Sequence, residues 1–299
     1  MITIFRKELA DYFTSIRFPI LFIFVLLASA VGLYSAWQGI HEAATETDFV
    51  FLALFTTSGE GEYMLSLVGF IALIVPIIGI ALGFDAINSE RSSGTLNRIL
   101  SQPVYRDSVI NGKLLAGIVI LAIMVLATML IVSGYGLKMI GVTPSAEEII
   151  RLFIYLVFTI IYGAFWMGLA ILFSVLFRSL AISLLFPLAI WILLGLPLYN
   201  PYIKNILPAM IKSPTTFITL ARISPYVLFD EAYNVMLIPI WRGYGLLTSA
   251  DTAYMILNPL SIDQSLLLIW PQITVLIGLA AICFAISYVV FMRQEIRST

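Results

Sequence analysis

Asp85, Glu90, Arg91, Arg98, Arg106, Asp107 and Lys113 fall within the 30 residues of 84–113, in a chain of 299 residues with only 16 Lys and Arg and 17 Asp and Glu. Groups of these types make ion pairs and charge-assisted hydrogen bonds. They become a reaction centre only with a nucleophile, a metal set or a shifted acid–base pair, and none is visible. The single histidine, His41, has no His or Cys near it, and the single cysteine, Cys283, sits inside an apolar run. This leaves no zinc set, no histidine-based catalytic centre and no disulfide within the chain. His-Glu-x-x-His, Gly-x-Ser-x-Gly and Gly-x-x-x-x-Gly-Lys-Ser/Thr are all absent, so the chain has no P-loop with which to bind and split ATP. The ten methionines are scattered, which gives no sign of copper handling. No catalytic or metal-binding residues are assigned, and the charged stretch reads as a recognition surface.

The chain around it is 61% hydrophobic and 11% charged, with mean hydropathy +1.04, whereas soluble domains carry about 25% charged residues. This composition defines a membrane protein. A net charge of −1 argues against nucleic acid as a partner. Crossing a hydrocarbon core of about 30 Å takes about 20 helical residues. Six apolar runs meet that length: 18–37, 65–84, 114–137, 152–177, 179–199 and 271–292. None contains an ionisable Asp, Glu, Lys, Arg or His. Only Arg178 separates the fourth from the fifth, which requires a tight hairpin or a later start for one of them. Carriers driven by their own proton relay place ionisable groups within the membrane, so energy is expected to arrive from another subunit.

Basic residues favour the cytoplasmic side. With both ends inside, ten of the Lys and Arg residues, from Arg6 to Arg297, are cytoplasmic and six are outside. The first outer loop holds Glu42, Glu46, Asp48, Glu60 and Glu62 and no Lys or Arg. The expected architecture is therefore all-α, with six transmembrane helices and both termini cytoplasmic, a multi-pass protein of the cell membrane. Ala28-Ser29-Ala30 resembles a signal-peptidase site, but the apolar run continues past it to Trp37 and acidic Glu8 and Asp11 precede it.

Residues 1–17 alternate Ile4, Phe5, Leu9, Tyr12, Phe13 and Ile16 with Arg6, Lys7, Glu8 and Asp11. The spacing suits either an amphipathic helix in the inner interface or an extension of the first span. At the other extreme, the outer segment 200–270 is broken by six prolines. Within it, Ser224-Pro225 opens a short helix that places Tyr226, Phe229, Tyr233 and Met236 on one face, with Asp230, Glu231 and Asn234 elsewhere. That face is expected to pack on the outer ends of the spans or to serve as a platform for substrate or an extracytoplasmic partner protein.

The charged stretch itself divides into three parts. The second span continues as a helix through Asn88, Glu90 and Arg91. Ser92-Ser93-Gly94-Thr95 interrupts it, with Gly94 relaxing the backbone and Ser93 or Thr95 able to cap a new helix. Leu96, Ile99 and Leu100 then share one face, with Asn97 and Arg98 away from it, and the piece stops before Pro103. Asp107 or Ser108 is expected to cap the third span. The small apolar knob either packs back on the membrane or the N-terminal helix, or fits a groove on a soluble partner with Glu90, Arg91 and Arg98 around its edge.

Glu90-Arg91-Ser92-Ser93-Gly94-Thr95-Leu96, followed by Leu100, Pro103, Arg106 and Lys113, resembles the cytoplasmic loop of type-2 ABC transporter permeases. The version here is similar to the permease of the nitrous-oxide-reductase maturation transporter and related permeases, and the similarity embraces nearly the whole chain. The resemblance implies a type-V-exporter-like bundle and a coupling helix at about 93–102. That helix, with Glu90, Arg91, Gly94, Thr95, Leu96, Arg98, Ile99, Leu100, Pro103 and Arg106, would contact a separate ATP-binding subunit. It further implies a permease dimer through the first and fifth spans, no cofactor on this chain, and ATP with magnesium in the partner. The leading expectation is an ATP-driven permease moving a substrate outward. The alternative is a membrane scaffold that transmits ATP-driven motion to an outer protein docked on 200–270 and moves nothing itself.

Overall fold

The computed structural model describes residues 1–43, 49–57, 66–95, 105–195, 221–240 and 259–294. The described residues form helices and no strands. In chain order these are α1 (Ile2–Thr14), α2 (Arg17–Ala43), α3 (Val50–Thr56), α4 (Leu67–Gly83), α5 (Asn88–Ser92), α6 (Arg106–Ile140), α7 (Ala146–Leu176), α8 (Leu180–Leu194), α9 (Pro225–Leu237) and α10 (Ile262–Arg293). Five of the helical stretches are long and apolar enough to cross a membrane, and α8 is an apolar helix of 15 residues. The chain is a multi-pass integral membrane protein.

Several helices outrun the apolar windows that announce them. α6 has 35 residues and α10 has 32, about 52 and 48 Å at 1.5 Å per residue, so their polar ends project beyond a 30 Å hydrocarbon layer. Helices stop where backbone hydrogen bonding stops, and capping sets that point. Ser145 and Glu148 form a capping box at the start of α7, as do Ser261 and Gln264 at the start of α10. α10 therefore begins nine residues before the apolar run at 271. α6 starts at Arg106 with Tyr105 as its N-cap and no side-chain cap. Neither Asp107 nor Ser108 caps it; Asp107 sits in the first turn and accepts from the Ser108 N–H.

α4 and α7 form the centre of the bundle, and α2, α8 and α10 leave much of their surface outward. α7 and α8 are joined by the tight connection at 177–179: the Ser183 hydroxyl donates to the Phe173 carbonyl at 3.1 Å, and Phe173, Phe177 and Phe186 stack on one another. The α4–α7 contact is closest where α4 has no side chain. A Cβ on Gly79 would lie 2.6 Å from the Gly163 carbonyl oxygen, and one on Gly83 would lie 2.6 Å from that of Met167. Small residues that let backbones approach are the usual basis of helix packing in lipid, where hydrophobic burial offers little driving force.

α3 is a further element, unannounced by the acidic loop around it. Its Phe51, Leu52, Leu54 and Phe55 are buried. α1 is a helix separate from α2, broken at Ser15–Ile16, and it packs on α6 with Ile4 against Gly112.

Gly83→Ala must push apart two backbones, at about 1–3 kcal/mol, and should lower the melting temperature of the detergent-purified protein by about 5 °C. Gly278→Ala, where a Cβ meets nothing within 4 Å, should not lower it.

Candidate functional site

Residues from both legs of the charged stretch converge at one end of the bundle. Lys113, 6% exposed, places its Nζ 3.0 Å from Glu8 Oε1 of α1 and 2.8 Å from Glu90 Oε1 of α5. Lys7 lies 3.0 Å from Glu8, 3.0 Å from Asp11 and 3.7 Å from Glu90. Burial alone would lower the Lys7 ammonium, but hydrogen bonds to Glu8 and Asp11 outweigh it and hold Lys7 above the ordinary lysine range. Tyr12 donates its hydroxyl to the Leu82 carbonyl at 2.8 Å, and Arg17 pairs with Asp85. α1 is thus tied by polar contacts to the lower turn of α4, to α5 and to the start of α6. Glu90 turns inward to this cluster and is 8% exposed, so it does not stand at the edge of an outward-facing surface.

The second helix does not continue smoothly past Phe84. α4 ends at Gly83, residues 84–87 form turns, and α5 resumes at Asn88. The break leaves N–H groups without helical partners, and Ser174 of α7 takes two of them: its Oγ accepts from Ile87 N at 3.1 Å and Asn88 N at 3.2 Å. The Asn88 amide then donates to Ser183 Oγ of α8 at 2.6 Å. α5 closes with Gly94 in the left-handed region, φ 71°, where glycine carries no steric penalty. The hydroxyls of Ser93 and Thr95 donate back to the Glu90 carbonyl, each at 3.3 Å.

Both legs of the stretch also meet the end of α10. The Arg91 guanidinium donates to Gln294 Oε1, Arg106 donates to the Gln294 carbonyl at 3.1 Å, and the Gln294 amide donates to the Val175 carbonyl at 2.8 Å. Arg91 and Arg106 therefore share a partner, and Gly94 and Thr95 bond back to the carbonyls of Arg91 and Glu90 in the turn that closes α5. Leu96, Arg98, Ile99, Leu100 and Pro103 lie outside the described residues. The pairing of Glu8 with Lys113 and the role of Gln294 had no signal in the sequence, because each joins segments far apart in the chain.

At the other end Arg151 is fully buried. It binds Glu147 Oε1, the carbonyls of Met236 and Leu260, and Ser265 Oγ, and its guanidinium lies over the Phe49 ring. Glu148 accepts from the Phe51 and Leu52 N–H groups at the start of α3, at 2.9 and 3.3 Å. α9 is enclosed within the bundle, with all 13 of its residues buried. Phe229 stacks on Tyr162 of α7 with ring centres 4.4 Å apart, and Tyr155 meets both Phe229 and Tyr233. Tyr226, Phe229, Tyr233 and Met236, 0–6% exposed, pack within their own chain and present no outward face.

The enclosure of α9 also brings charge in among apolar runs that carry none themselves. Asp230 and Glu231 are buried with it. Asp230 accepts from Tyr233 Oη at 2.6 Å and Asn234 Nδ2 at 3.2 Å; Glu231 is held by Arg222 at 3.0 Å and by Gln272 of α10 at 2.9 Å. Such donors are what makes burial of a carboxylate affordable. The six apolar runs are free of charge, but the short helix from the outer segment brings two carboxylates among them.

Among the described residues no group of three or more His, Cys, Asp or Glu is placed to hold a metal ion. The arrangement around Lys113 and Gln294 is one of fixed ion pairs and hydrogen bonds, suited to holding a loop rigid. Lys113→Met would leave Glu8 and Glu90 with half-exposed Lys7 as their one remaining cation among the described residues, a loss of about 2 kcal/mol that should read as a fall of roughly 5 °C in melting temperature. Glu90→Gln in that background should restore part of it, whereas exposed Lys138→Met should change little. In a Cys283→Ala background, Tyr233→Cys should stay unreactive to a membrane-impermeant maleimide until the protein is denatured.

A model of the ABC-2 family transporter proteins matches residues 2–296. Over 184 residues, 61% of the chain, the sequence is 32% identical to a Pseudomonas aeruginosa protein described as "Probable ABC transporter permease protein NosY", of which 58% is covered. A Stutzerimonas stutzeri protein of the same description is 28% identical over 144 residues, 48% of this chain and 46% of the relative. The chain thus spans about half the length of these curated relatives. A family match along almost the whole sequence, on an all-helical bundle with five helices long enough to cross a membrane, settles the assignment: the chain belongs to the ABC-2 family of transporter proteins.

Proposed function

We propose that this chain is the membrane-spanning permease subunit of an ABC exporter and that a separate ATP-binding subunit drives it through the segment 93–102. The observation that carries the reading is the construction at the base of that segment. Its first leg is fixed to α7 by Ser174 and its two legs are joined at Gln294, so a push on the segment is delivered to α4, α6, α7 and α10 together. A loop that merely connected two spans would not need such anchoring. The family assignment and the absence of a P-loop support the same partner.

In this reading α2, α4, α6, α7, α8 and α10 are six spans, and both termini are cytoplasmic. α1 lies at the inner interface and moves with the coupling segment through Lys7 and Lys113. The bundle is of the type-V exporter kind, in the cell membrane, and two permease copies assemble with two ATPases. ATP and magnesium belong to the partner, and this chain carries out no catalysis. The scaffold alternative would have to use parts of 200–270 other than Tyr226, Phe229, Tyr233 and Met236, since these are buried.

Leu96→Glu places a charge on the apolar knob that meets the ATPase. It should abolish co-elution with the ATPase, or lower coupled ATP turnover at least about tenfold, the equivalent of roughly 1.4 kcal/mol, while the variant still inserts. Normal co-elution and normal turnover would contradict the docking assignment.

A further inference from the structure

We propose that Arg91, Arg106 and Arg178 form, around Gln294, a binding site for the phosphate of an anionic phospholipid. Among the described residues, the acidic side chains of α1, α5 and the turn before α5 are engaged by other cations: Glu8, Asp11 and Glu90 by Lys7 and Lys113, and Asp85 by Arg17. Asp107 accepts from Ser108. No ion pair among the described residues includes Arg91, Arg106 or Arg178. Arg91 and Arg106 each spend one donation on neutral Gln294, out of the five donors a guanidinium carries. Arg178 is exposed and stands three residues after Val175, whose carbonyl accepts the Gln294 amide, and its charge adds to that of Arg91. Two cations joined by an uncharged bridge, with a third beside them, have no anion paired to them among the described residues.

Location identifies the anion's source. The cluster sits where α7 ends at Leu176, α10 ends at Arg293 and α6 begins at Arg106, the level at which long apolar helices leave the hydrocarbon and lipid phosphates begin. Basic pockets between spanning helices at that level suit anionic headgroups. Exposed apolar side chains flank the cluster, with Tyr105 82%, Leu176 46% and Met292 39% exposed. Acyl chains would cover these, and free phosphate would not. The inference rests on the chain spanning the membrane and not on the ATPase reading.

The test uses the full chain purified in detergent and native mass spectrometry with added phosphatidylglycerol, phosphatidylcholine or inorganic phosphate. Phosphatidylglycerol should bind about tenfold more tightly than phosphatidylcholine, and inorganic phosphate should not compete at equal concentration. Each arginine near a lipid surface is worth about fivefold in affinity. Arg178→Gln, at an exposed position, should therefore weaken phosphatidylglycerol about fivefold and Arg106→Gln/Arg178→Gln further, with phosphatidylcholine unchanged, while Arg178→Lys retains most of the binding. Equal binding of the two lipids, inorganic phosphate binding as tightly as phosphatidylglycerol, or undiminished phosphatidylglycerol binding by Arg178→Gln would overturn the proposal. So would loss of ATPase co-elution in that variant with lipid binding intact, which would make the cluster a protein contact.

Discussion

The arrangement depends on how the backbone is satisfied where α4 breaks. N–H groups released in apolar surroundings cost several kcal/mol each unless something accepts them, and at residues 87 and 88 the acceptor is the single hydroxyl of Ser174. That bond is possible only because α4 and α7 already lie backbone to backbone at Gly79 and Gly83. The glycines set the distance, the distance puts Ser174 beside the break, and the break leads through α5 to the rest of the charged stretch. A shift of α4 along α7 would undo all three, which makes the pair a rigid lever rather than two independent spans.

Polar contacts then extend that lever to the other helices. Lys113 ties α1 and α5 to α6, and Gln294 ties α5, α6 and α7 to the end of α10. A buried ion pair is weak evidence of net stabilisation, but removing one member leaves an uncompensated charge. Such pairs therefore fix an arrangement more than they strengthen it. The opposite end is built on the same principle, with Arg151 holding a carbonyl of the last turn of α9 and one that precedes α10.

The parts legible in sequence were those with local signals. Six apolar runs foretold α2, α4, α6, α7, α8 and α10, the pattern of 1–17 foretold α1, and Ser224-Pro225 foretold the start of α9. The family resemblance carried by the Glu90–Leu96 stretch is matched by the family model along the chain. Helix ends were misplaced because hydropathy reports lipid contact, whereas helices run on through polar turns until a cap such as Ser261 ends the need for partners. The burial of α9 was invisible because its Glu231 is satisfied by Arg222 and Gln272, 9 and 41 residues away. Glu90 read as a surface residue for the same reason: its partners, Lys7 and Lys113, come from other helices.

The central claim is that the segment after Gly94 touches an ATPase. The test places a photo-crosslinking residue at Ile99 of the full chain, co-expresses candidate ABC ATPase subunits from the same organism, and irradiates membranes with and without ATP. The account predicts an adduct of permease plus ATPase whose yield changes with nucleotide, and none from the same probe at buried Phe229. An absence of any adduct from position 99 when the two proteins are both present in the membrane would contradict it.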